Sequence, residues 1–110
     1  MTSDHAIAEI TRRMVDYYRP QRIYLFGSVA RGEGGPDSDL DFCVVLPDDA
    51  PASLYRPGVQ HALWGVGTAA DVVSLPAKDF DLRAAHVKAS LPATIVREGR
   101  LLYDTRTVAV

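Results

Sequence analysis

Two aspartates one residue apart, Asp39 and Asp41, follow by about ten residues a glycine–serine step, Gly27-Ser28. Each pair opens or closes an apolar run: Ile23-Tyr24-Leu25-Phe26 before the glycine, Phe42-Cys43-Val44-Val45-Leu46 after the second aspartate. Runs rich in β-branched and aromatic residues on either side of a Gly/Pro-rich connection read as two strands. On a strand, side chains alternate, so Asp39 and Asp41 share a face, roughly 6–7 Å apart. Leu40 then points the other way with Phe42, Val44 and Leu46, into the core. Two carboxylates on one face repel, and burial raises the pKa of at least one. Divalent cations between them let both stay ionised, and an oxygen-only donor set suits Mg²⁺ or Mn²⁺ completed by waters and substrate phosphates.

The glycine–serine step supplies a complementary device. Gly27 can take a positive φ and lets a phosphate approach the backbone. Ser28 is a good N-cap for a short helix through Val29, Ala30 and Arg31, whose free amides would favour an anion. Arg31 either reaches that anion or pairs with Glu33 or Asp37. A phosphate cradle followed by a carboxylate pair is the chemistry of a triphosphate with metal ions.

The elements that must position these groups can be read along the chain. Ile7, Ile10, Met14 and Tyr17 or Tyr18 form one apolar stripe, so residues 3–18 are expected to be an amphipathic helix, with Ser3 or Asp4 capping its start. Arg12 and Arg13 read as its solvated face. Pro20 closes it. Strands are expected over about 22–26, 40–46 and 69–75. Glu33 to Asp37 reads as a lid over the site or, in preference, a connector, with Ser38 placed to cap or orient Asp39. Pro47 to Pro57 is loop-like, a helix over 58–64 follows with Pro57 in its first turn, and its stripe is Val59, Ala62, Leu63 and Val66. A helical region over 77–87 comes next, then a short helix capped by Ser90 with Pro92 in its first turn. Leu101-Leu102-Tyr103 is expected as an edge strand, and 104–110 as a tail. The fold class is therefore α+β, a small mixed or antiparallel sheet of about four strands flanked by helices. Asp71, a charge opening the apolar segment Val72-Val73-Ser74-Leu75, taken alone reads as a strand-end aspartate in solvent.

Composition narrows the function classes. The chain has 110 residues, 47% apolar and 24% charged, enough for one domain with one core. No apolar run approaches the ~20 residues of a membrane span. The first residues lack the basic and apolar regions of a signal peptide, so a cytoplasmic protein is expected. The single cysteine, Cys43, allows no internal disulfide and reads as a small core residue. From Gly32 to Tyr55 there are six acids (Glu33, Asp37, Asp39, Asp41, Asp48, Asp49) and no Lys or Arg, within a net charge of −2. That pattern argues against gripping a nucleic-acid backbone. It is compatible with a nucleotide whose charge metal ions neutralise.

Gly-Ser-Val-Ala-Arg-Gly at 27–32 followed by Ser-Asp-Leu-Asp at 38–41 resembles the signature of the DNA-polymerase-β-type nucleotidyltransferase superfamily, and in so short a chain its minimal (MNT) branch. The Asp71 strand and the closing Arg97-Glu98-Gly99-Arg100-Leu101-Leu102-Tyr103 also fit that pattern. The resemblance implies a single nucleotidyltransferase domain over 1–110, with Asp71 as third metal-binding carboxylate beside Asp39 and Asp41. It implies two Mg²⁺ ions, a triphosphate held at Gly27, Ser28 and Arg31, and ATP as nucleotide donor. Members of the branch act as antitoxins, moving AMP onto a tyrosine of a HEPN-domain ribonuclease toxin. The alternative is a silent antitoxin that neutralises its toxin by binding. Transfer to a small molecule would need an acceptor-binding domain for which this chain has no counterpart. Base preference, number of nucleotides transferred and stoichiometry have no sequence signal.

Overall fold

The computed structural model describes residues 3–34, 39–56 and 58–105. Expectations resting on Gly35 to Ser38, Pro57 and residues 106–110 lie outside them. Helix α1 spans Ser3–Tyr18, and strands β1 and β2 span Arg22–Phe26 and Leu40–Leu46. A 3₁₀ turn at Ala52–Tyr55 and helix α2, Val59–Ala62, lead to strand β3, Ala70–Pro76. Helices α3, Ala77–His86, and α4, Leu91–Glu98, precede strand β4, Arg100–Asp104. No helix is long and apolar enough to cross a membrane among these residues.

The sheet runs in the order β3-β2-β1-β4. β1 is antiparallel to both β2 and β4, whereas β2 and β3 are parallel, so the sheet is mixed. Central β2 is buried on both faces, as its nearly continuous apolar sequence requires. Leu40, Phe42, Val44 and Leu46 pack with Ile23 and Leu25 against the α1 stripe of Ile7, Ile10, Met14 and Tyr18, and against Val59, Leu63 and Val66. Cys43 and Val45 face the other way, onto Ala77 and Phe80 of α3 and Ile95 of α4. Cys43 is thus a core residue, and burial pushes its thiol up to about 12. Ser90 accepts from the Ala93 amide, capping α4 as its sequence indicates.

The expected tail begins later, since Asp104 belongs to β4 and is buried and Thr105 N donates to Gln21 O at 3.0 Å; two short elements also differ from expectation. Helix α2 stops at Ala62 instead of reaching Trp64. Arg13 explains the early stop, because Nη1 donates to the carbonyls of Ala62 (3.4 Å) and Trp64 (2.6 Å), and Gly65 then turns the chain at φ 81°. Arg13 is accordingly a tie between α1 and α2 and not part of a solvated face; Arg12 is exposed and paired with Glu9 and Asp16. After Gly27 there is a compact turn and no helix. Arg31 N donates to Gly27 O, Gly32 N to Val29 O and Glu33 N to Ser28 O. Glycines with positive φ at 27 (82°) and 32 (77°) bracket that turn and leave no room for a second helical revolution.

Candidate active site

The three aspartates meet at one end of the sheet. Phe26 pairs with Asp41 across the antiparallel β1–β2 ladder, and Asp41 pairs with Asp71 across the parallel β2–β3 ladder. Phe26, Asp41 and Asp71 therefore form one row over three strands, on the face shared with Cys43 and Val45. Register partners on adjacent strands are about 4.8 Å apart, so two carboxylates stand side by side. Asp39, one residue before β2, adds a third on the same face. Among the described residues none of the three has a basic partner. The result is visible in Asp41, whose carboxyl titrates above the ordinary aspartate range: burial is the largest cause, followed by the charges of Asp71 and Asp39.

Gly27 follows Phe26 and closes the site on the β1 side. Its φ of 82° belongs to the region glycine favours, and a Cβ there would strike Asp41 Oδ2 and lie 3.2 Å from Asp41 Cγ. The glycine thus serves the carboxylate as well as the turn. Beyond it the amides of Ser28, Val29 and Ala30 donate to no described backbone carbonyl. Three unpaired amides around one turn can receive phosphate oxygens without a helix behind them. Arg31 Nε is bonded to Glu33 Oε2 at 3.0 Å, so of its two expected roles the structure displays the ion pair.

The donor set suits a hard divalent cation: oxygen ligands only, uncompensated negative charge, and an open position at the end of the sheet. No group of three His, Cys, Asp or Glu among the described residues forms a ready metal cage. Carboxylates without a cation between them repel, and the fit accordingly rests on their shared face, their register and the raised pKa of Asp41. A groove of about 490 Å³ runs between α1 and β4, lined by Ile7, Val15, Leu102 and Tyr103. It lies on the opposite face of the sheet, and its acids, Asp4 and Asp16, share it with Arg12 and Arg100, so the uncompensated carboxylates are those at the sheet end. One residue with no signal in the sequence also reaches this end: Gln60 Nε2 donates to the carbonyl of Ala70, next to Asp71 (3.1 Å).

Comparison with known proteins gives the family and the fold. A family model described as the nucleotidyltransferase domain matches residues 7–102. Among solved structures, a chain of a toxin–antitoxin crystal structure with AMP-PNP superposes with a TM-score of 0.59 at 20% identity, covering 97% of this chain and 77% of that one. A chain of a mutant toxin–antitoxin MntA-HpeT structure gives a TM-score of 0.55 at 24% identity, covering 98% and 77%. At those identities the likeness is one of fold. A search of curated proteins returned no match. With its acidic row, its glycine corner and a family match over nearly its whole length, the chain belongs to the nucleotidyltransferase domain family.

Proposed function

We propose that this protein is a single-domain, Mg²⁺-dependent adenylyltransferase that moves AMP from ATP to a tyrosine hydroxyl of a HEPN ribonuclease toxin, and so acts as its cytoplasmic antitoxin. The observation that carries the reading is the row Phe26–Asp41–Asp71 beside the Gly27-Ser28 corner. Support for the nucleotide comes from a fold neighbour in a toxin–antitoxin crystal structure with AMP-PNP, an ATP analogue, and support for the partner from both neighbours coming from toxin–antitoxin structures. The acidic stretch from Gly32 to Tyr55 disfavours a nucleic-acid acceptor.

In this reading the amides of Ser28 to Ala30 hold the β- and γ-phosphates, and Arg31 exchanges Glu33 for the triphosphate. Asp39, Asp41 and Asp71 would be the carboxylates that hold Mg²⁺. Bound there, the ions neutralise the triphosphate and lower the pKa of the acceptor hydroxyl. The chain's own contribution is alignment. The acceptor hydroxyl gives up its proton to solvent, its oxygen bonds to the α-phosphorus, the bond from that phosphorus to the bridging oxygen breaks, and pyrophosphate leaves with the electron pair.

The test is intact-mass measurement of the neighbouring HEPN protein after incubation with this chain, ATP and Mg²⁺. AMP-sized increments are expected, and none with the Asp39→Asn/Asp41→Asn double variant. A partner that stays unmodified while bound, or a double variant that still neutralises the toxin fully, would favour neutralisation by binding alone.

A further inference from the structure

Of the three carboxylates, Asp71 has the least secure footing. Its strand, β3, is an edge strand paired only with β2. The bond from Leu40 N to Ala69 O (3.0 Å) sets the phase of the parallel ladder. The backbone groups of Ala69 and Asp71 therefore face β2, and those of Ala70 point out of the sheet. The free start of an edge strand frays readily, and an acid placed there wanders with it.

Gln60 meets that outward group. Its Nε2 donates to Ala70 O at 3.1 Å, joining α2 to the residue before Asp71. A four-residue helix has no stability of its own, so α2 must be held from behind. Arg13 does this through its bonds to the carbonyls of Ala62 and Trp64. Arg13 is fixed in turn by Glu9, with Nε to Oε1 at 2.9 Å. Arg12 and Arg13 together keep the Glu9 carboxyl down at about 2, so this anchor is charged throughout the neutral range. The succession Glu9–Arg13–α2–Gln60–Ala70 links the rigid helix α1 to the start of β3.

We infer that Gln60 is a positioning residue for Asp71, its amide pinning the outward carbonyl of Ala70 so that the edge strand presents its carboxylate in register with Asp41. This rests on the nucleotidyltransferase reading above. Gln60 is exposed, and an exposed hydrogen bond adds little to global stability. Catalysis, by contrast, is sensitive to displacements of about 1 Å.

The experiment compares Gln60→Met, which keeps the length and removes the donor, with Gln60→Lys, which keeps a donor at similar reach. Amide hydrogen exchange in the free protein and initial rates of AMP transfer to the HEPN partner are both read. In the Met variant, the gain in exchange at the Asp71 and Val73 amides, which face β2, and the loss of kcat are each expected to be about 3–10-fold, set by one hydrogen bond. The KM for ATP, which is bound at the far side of the row, should stay within about twofold, and Tm within about 2 °C. The Lys variant should recover most of both losses. Wild-type exchange at the Asp71 and Val73 amides in the Met variant, or a kcat equal to wild type, would overturn the inference. Should wild-type protein transfer no AMP, the functional reading fails, while the exchange data still decide whether Gln60 fixes the start of β3.

Discussion

At the end of the sheet where β1 gives way to Gly27, Asp39, Asp41 and Asp71 gather without a basic partner among the described residues. At the opposite end, Arg22 is also withdrawn from water, its side chain only 8% exposed, yet it is fully provided for. Its guanidinium bonds Asp81 at 2.8 Å and Tyr24 Oη at 3.4 Å, and lies 5.2 Å from the centroid of Phe80, which stacks on Tyr24. Both regions belong to one sheet and one core. The far end spends its charge on holding α3 to the sheet. The near end keeps like charges together at a cost in stability, an arrangement that becomes favourable once a ligand brings the counter-charge.

Breaking each end should therefore give opposite signatures. The largest effect is expected from Asp39→Asn/Asp41→Asn, which should cut AMP transfer by about 10³-fold or more while leaving the protein folded. Arg22→Met at the far end should lower stability by about 2 kcal/mol, discounted from a buried pair because Asp81 is mostly exposed. Transfer per folded molecule should be unchanged, as urea titration and rate measurements on the same sample would show. Gly27→Ala combines both costs. The αL strain and the collision with Asp41 should destabilise by about 1–2 kcal/mol and weaken ATP binding.

The smallest effect sharpens the contrast most. Asp41 holds its proton more tightly in the folded protein than in the unfolded chain, chiefly through burial and then through Asp71 and Asp39. The folded state thus binds more protons in the window just above the ordinary aspartate range, and stability falls as pH rises through it. Asp41→Asn should remove that slope and raise Tm at neutral pH in the metal-free protein by about 3–6 °C. A variant that melts lower than wild type would mean that the row is not strained by its charges.

How far the sequence foretold this arrangement depends on the range of the interaction. Local patterns carried well: the α1 stripe, the alternation of β2 about Asp39 and Asp41, and the Ser90 cap each act within a few residues. Where a distant side chain decides, the sequence is silent. Gly65 marks the end of α2 only to within a few residues; the stop at Ala62 has no local signal, because Arg13, 49 residues away, draws off its carbonyl. Ser28 looks like a helix cap, but two glycines with positive φ turn that segment into a single revolution. The pairing of Asp41 with Asp71 depends on the register of a parallel crossover, which spacing alone does not set. Family resemblance pointed to Asp71; the ladder places it beside Asp41. Gln60 had no signal, since its bond to Ala70 arises only once α2 is docked.

Calorimetric titration of the purified chain with ATP in the presence of Mg²⁺, repeated with Asp39→Asn/Asp41→Asn, decides whether the acidic row binds a metal–nucleotide complex. Saturable binding is expected, and it should disappear on chelating the metal and in the double variant. Absence of heat with wild-type protein, or equal binding by the variant, would contradict it.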